Sequence, residues 1–155
     1  GEQAQIGPKA AWAFTAYEKW RAEVDFKPVM IEQTVWSRTH GYAGTMDFLA
    51  DVTLHGQRVL ALGDWKSGKA IYEEALLQNA AYVAALEEMG HSEPGTLWGV
   101  IVRLPKVETD PDFEVRVIPP SEQAENLAAF LSTKHAWEWV QKHNRWMKGG
   151  SEASA

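Results

Sequence analysis

The chain has 155 residues, 45% of them hydrophobic and 23% charged, a composition that fits one globular domain with a single core. It contains no cysteine, which excludes disulfides, thiolate zinc sites, iron–sulfur clusters and cysteine nucleophiles together. A formal net charge of −6 argues against a protein that coats nucleic acid non-specifically, because that affinity comes from many cations displacing counterions, yet it suits carboxylates that neutralise metal ions.

In chain order, an apolar stripe of Ala10, Ala13, Phe14, Tyr17 and Trp20 predicts a first helix from about Lys9 to Val24, with Pro28 closing that region. Val29 to Arg38 alternates as a strand, and Tyr42 to Leu54 and Gln57 to Lys66 form a hairpin about His55-Gly56. In the first arm of that hairpin, Met46, Phe48, Ala50, Val52 and Leu54 are expected on the core side, with Thr45, Asp47, Asp51 and Thr53 on the other. A helix follows from about Ile71 to Met89, stopped at Gly90, and Ser92 to Gly95 is a turn. Leu97 to Leu104 reads as a buried strand, and Phe113 to Ile118 as a half-exposed one across the loop from Pro105 to Pro111. Pro119-Pro120-Ser121 opens the last helix with Ser121 as its cap, and Lys148 to Ala155 is a polar tail expected to be disordered. The order αβββαββα predicts an α/β fold with a central mixed sheet flanked by helices.

No apolar run approaches the length of a membrane span, and Gly1-Glu-Gln-Ala-Gln lacks the basic and apolar parts of a signal peptide, so no membrane partner and a cytoplasmic location are expected.

The hairpin carries the chemistry. With Leu54 facing Gln57, the register sets Asp47 directly opposite Asp64, where two carboxylates repel unless a cation, a shared proton or a basic neighbour offsets them. Lys66 stands on the same sheet face as Asp64. Taken by themselves these three could be a surface ion-pair cluster, and Gln78 and Tyr82, one helical turn apart, could simply bond each other. Lys134, His135, Lys142, His143, Arg145 and Lys148 form a cationic stretch that suits either a helix C-terminus or a nucleic-acid strand, and some of the eight tryptophans could stack on bases. His40, His55 and His91 read as turn or helix-end residues, without zinc-ligand spacing.

Gly44-Thr-Met-Asp47, Asp64-Trp-Lys66 and Gln78-Asn-Ala-Ala-Tyr82 occur in strand, strand and helix contexts, and together they resemble the GxxD, (D/E)xK and QxxxY motifs of the PD-(D/E)XK nuclease superfamily. The likeness is to the branch of RecB-like, phage exonuclease and CRISPR-adaptation nuclease domains, over roughly Val29 to Leu104. It implies a restriction-endonuclease-like core within a single nuclease domain over residues 1–147, with a polar tail over 148–155. It further implies a Mg²⁺- or Mn²⁺-dependent deoxyribonuclease, an end-processing exonuclease of recombination, repair or phage replication with DNA as its partner, and leaves a homo-oligomer or a partner recombination protein open. On that resemblance Asp47 and Asp64 are metal ligands, the main-chain carbonyl of Trp65 is a further one, and Glu32 is an additional acid. Lys66 orients or polarises the attacking water, Gln78 and Tyr82 contact substrate, and Lys69 adds a cation for the DNA backbone. The branch commonly carries an N-terminal helical region with a histidine ligand in a GxxxH setting. No such motif precedes Asp47, so the chain is expected to be a fragment or to use a reduced ligand set.

Two other readings stay open. One is a nuclease-like fold kept for DNA binding or scaffolding with weak or no catalysis. The other is a nucleotide-binding P-loop at Gly63-Asp-Trp-Lys-Ser-Gly68-Lys69, which lacks the hydroxyl that should follow the lysine because Ala70 stands there.

Overall fold

A computed structural model describes residues 10–150, with side chains to 148. Its elements are α1 (Ala11–Glu23), β1 (Lys27–Ser37), β2 (Tyr42–Leu54), β3 (Gln57–Ser67), α2 (Glu73–Glu88), β4 (Trp98–Leu104), β5 (Glu114–Ile118) and α3 (Pro120–Gly150). The strands form one mixed sheet in the order β1-β2-β3-β4-β5, antiparallel except for the parallel β3–β4 pair. The α2 helix makes the crossover that a parallel pair requires. This α/β sheet flanked by helices is consistent with a restriction-endonuclease-like core.

Each face of the sheet has its own core. Trp20 of α1 and Val24 just after it pack with Phe48, Ala50, Val52, Ala61, Val100 and Val102 on one side. Val83, Ala85 and Leu86 of α2 pack with Val35, Met46, Leu49 and Leu62 on the other. Burying both faces explains why β4 is a continuous apolar run instead of an alternating one.

Several expectations are corrected. The buried line of α1 is Ala16 and Trp20, continued by Val24 just after its end, while Ala10 and Phe14 of the expected stripe are exposed. Lys9 lies outside the described residues. Pro28 belongs to β1, whose outer edge needs no amide donor, and a bulge follows it between Pro28 and Met30. The α2 helix starts at Glu73 because Ile71 and Tyr72 offer no capping side chain, and Glu73 and Glu74 favour its positive end instead. The α3 helix opens at Pro120, whose ring presets a helical φ, so Ser121 lies inside the first turn and does not cap. Its helical hydrogen bonds continue through Lys148 to Gly150, so those residues are helix and not tail; the rest of the expected tail lies outside the described residues. Although α3 has 31 residues, no described helix is long and apolar enough to cross a membrane.

Met46 and Phe48 do not share a face. Met46 packs with Leu49 on the α2 side, whereas Phe48 and Ala50 pack on the α1 side, so the alternation of β2 changes phase at Asp47. Across the β1–β2 register, the place opposite Asp47 falls at Glu32, whose φ of 48° lies in the left-handed region. The paired irregularity frees Asp47 from the ladder without breaking the strand.

Candidate active site

The hairpin register is the expected one: Leu54 faces Gln57, and the ladder runs to Phe48 opposite Gly63. There it stops. The next pair would set Asp47 against Asp64, but an Asp47 carboxylate oxygen accepts the Trp65 amide N–H at 2.7 Å. Within a strand one residue's amide and carbonyl point to the same edge, so the Trp65 carbonyl is on the Asp47 side, past the last ladder pair.

Trp65 is what fixes this part of β3. Its ring lies 4.7 Å from Phe48, 5.0 Å from Tyr17 and 5.3 Å from Trp20, centroid to centroid, on the α1 side of the sheet. A Cβ at Gly63 would overlap the Phe48 ring, so glycine is needed for Phe48 to lie across β3 beneath Trp65. With Trp65 anchored on one face, Asp64 and Lys66 emerge on the other, towards α2.

On that face the motif residues meet. Lys66 Nζ lies 2.6 Å from Asp64 Oδ2 and donates a hydrogen bond to Gln78 Oε1 at 2.8 Å. Gln78 Nε2 donates to the Tyr82 hydroxyl at 3.2 Å. The Tyr82 ring rests against Gly44, where a Cβ would come within 2.6 Å of the ring and 2.7 Å of the hydroxyl. Gly44 thus makes room for Tyr82, and the three motifs converge through contacts between side chains and backbone. Glu32 is exposed on β1 and Lys69 is exposed after β3; no hydrogen bond joins either to this chain of contacts.

Asp64 is 7% exposed, and its buried Oδ2 has the Lys66 ammonium, at 2.6 Å, as its charged neighbour. Its carboxyl is pushed up to about 7, chiefly by burial and then by the adjoining Asp47 carboxyl, with Lys66 pulling the other way. Burial also raises the Tyr82 hydroxyl, so it stays protonated and able to donate.

A divalent cation fits this donor set. Two adjoining carboxylates, one of them nearly buried, and a main-chain carbonyl on the same edge are hard oxygen donors suited to Mg²⁺ or Mn²⁺. Among the described residues no three His, Cys, Asp or Glu side chains form a group, so waters or substrate oxygens would complete the shell.

The P-loop geometry is absent at Gly63–Lys69. Gly63 to Ser67 are extended and paired with Val100 to Leu104, so their amides cannot curl around a phosphate.

Sequence reasoning missed three residues that support the site. Asn79, one position beyond Gln78, is buried and donates to the Leu62 carbonyl at 3.1 Å while its Oδ1 accepts from Gln123 of α3, also at 3.1 Å. Gly99 of β4 leaves space for this pair. Arg103, 1% exposed, donates to Glu114 and to the carbonyls of Gly68, Pro111 and Asp112, holding the end of β3 to the β4–β5 loop. An Asn inside an Ala-rich helix was the one visible sign of the first.

No family model and no curated protein matches this chain.

Proposed function

We propose that this protein is a metal-dependent DNA nuclease that hydrolyses phosphodiester bonds, working on DNA ends as an exonuclease. The single observation that carries the reading is the nearly buried Asp64 carboxyl, set between the adjoining Asp47 carboxyl and the Lys66 ammonium 2.6 Å away. A structural ion pair has no use for a second carboxyl at that point, whereas a cation site requires one.

A magnesium or manganese ion held by Asp47, Asp64 and the Trp65 carbonyl would supply an activated water and offset charge on the phosphoryl oxygens. The remaining roles belong to the chain itself. Lys66 places a positive charge beside the acids, where negative charge grows in the transition state. Gln78 holds that ammonium at 2.8 Å, and Tyr82 fixes the Gln78 amide in turn, so the lysine is positioned before substrate arrives. Tyr82 keeps its proton and presents a donor towards the same face.

The test is degradation of linear and circular DNA with Mg²⁺ or Mn²⁺, by wild type and by Asp64→Ala and Lys66→Ala. Loss of a positioned transition-state charge costs roughly a hundredfold or more, so both variants should fall to background. Cleavage confined to linear DNA supports the exonuclease mode. Binding without cleavage in either metal points to a scaffold instead.

A further inference from the structure

Between Tyr42 on β2, Gln78 and Tyr82 on α2, and Phe130 and Thr133 on α3 lies a cavity of about 310 Å³. Gln78, which accepts from Lys66, and Tyr82, which accepts from Gln78, line it together with Glu74, so it adjoins the acids through that chain of contacts. Tyr42 and Phe130 meet edge to face at 5.0 Å and give it an aromatic wall. Its size suits a nucleotide and not a duplex.

The same face of α3 continues beyond the cavity. At 3.6 residues per turn, Phe130, Trp137 and Asn144 follow one line, and Lys134, Gln141 and Lys148 follow the line beside it, with Arg145 adjoining. Trp137 is 62% exposed one turn past Thr133, and Asn144, Arg145 and Lys148 are exposed as well. From Ala128 to Lys148 the helix carries Lys134, Lys142, Arg145 and Lys148 against one acid, Glu138, which pairs with Lys134. In a chain of net charge −6 this is a local reversal of sign. Cations interleaved with an exposed indole and with amide side chains match a phosphate backbone carrying unstacked bases. A second copy of this helix would seat on Val140 and Met147, which are exposed beside Trp137, and along the Trp137 line it would bring Lys134, Arg145 and Lys148 against cations of the same sign.

We propose that this α3 face, from Phe130 through Trp137 to Lys148, is the docking track for an unpaired DNA strand that passes through the aromatic cavity to the acids at Asp47 and Asp64. The proposal rests on the nuclease reading for the destination of the strand, but not for its binding. Over 18 residues the track extends about 27 Å from the cavity. Trp137 offers a stacking plane and Arg145 a phosphate contact.

The experiment is fluorescence anisotropy of an end-labelled oligothymidylate of about 15 nucleotides with the full chain in EDTA, which prevents metal-dependent cleavage. Trp137→Ala should weaken binding roughly tenfold, within the range that loss of one stacked base allows, and Trp137→Phe should recover much of it. Arg145→Ala should reduce the slope of log affinity against log salt by about 0.7, one single-strand phosphate contact. Equal affinity of wild type and Trp137→Ala overturns the proposal. So does a dimer in sedimentation that Trp137→Ala dissolves, which would make the face a self-interface. Hydrolysis of bis(p-nitrophenyl) phosphate by wild type, too small a substrate to reach α3, is measured separately. Weakened strand binding with no hydrolysis of that ester in Mg²⁺ or Mn²⁺ upholds the track and refutes the nuclease reading.

Discussion

Replacing Asp64 by Asn should stabilise the protein at alkaline pH and leave it nearly unchanged in acid. The Asp64 carboxyl is raised from its usual 3.8 to about 7, mainly by burial and by Asp47. A raised acid binds more protons folded than unfolded between those two values, so stability is greatest below about pH 4 and is lost as pH rises through about 7. Roughly three units at 1.36 kcal/mol each set a ceiling of about 4 kcal/mol. Loss of the Lys66 ion pair at 2.6 Å reduces what a single substitution recovers, to about 2 kcal/mol. In a domain of this size that corresponds to a rise in Tm of roughly 4–8 °C. The assay is thermal denaturation of wild type and Asp64→Asn from about pH 4 to pH 8.5, with the difference taken at each pH so that carboxylates common to both cancel. The gap should open between about pH 4 and 7 and then level off. Millimolar Mg²⁺ or Mn²⁺ should raise the wild-type Tm at high pH and close part of it. A difference independent of pH, or a variant less stable than wild type at about pH 8, would refute the placing of a buried, repelled carboxyl here.

Two further outcomes follow from packing. Gly63→Ala would drive a methyl into the Phe48 ring and should cost about 1–3 kcal/mol in urea denaturation, with loss of activity beyond that expected from the unfolded fraction, because Trp65 sits on Phe48 and carries Asp64 and Lys66 with it. Asn79→Ala would leave the Leu62 carbonyl and the Gln123 amide unpaired and should cost about 1–3 kcal/mol by the same measurement, as α2 loosens from the sheet and from α3.

The elements themselves were legible because their punctuation is strong. His55 and Gly56 both have positive φ, at 49° and 77°, and a two-residue turn of that kind fixes the register of every pair along the hairpin. Gly90, at φ 82°, ends α2 as its position implies. The motif residues were legible in two ways: hairpin register put Asp47, Asp64 and Lys66 within one region, while the placing of Gln78 and Tyr82 beside them came from the resemblance and not from helical spacing. The phase change at Asp47 was not legible. Alternation assumes an unbroken period of two, and neither Glu32 nor Asp47 is a residue type that announces a break in it. The partnership of Asn79 with Gln123 joins positions 44 apart and depends on how α3 crosses α2, which no local pattern encodes. Trp65 reads in sequence as the spacer between an acid and a lysine; its burial against Trp20 and Phe48 depends on α1 folding back over the sheet.

That division also explains how the fold tolerates its site. Two adjoining carboxyls, one of them nearly buried, push β2 and β3 apart at the point where their ladder ends. The opposing force comes from the other face of the same residues. Phe48 follows Asp47 and Trp65 follows Asp64, and those two rings are packed 4.7 Å apart and against Trp20. An aromatic contact directly behind each acid holds the strands together where charge would separate them, so the carboxyls cannot relieve their repulsion by moving. The Lys66 ammonium at 2.6 Å offsets part of it, yet Asp64 is still raised to about 7, so above that pH, where Asp64 gives up its proton, a bound cation would relieve what the lysine leaves.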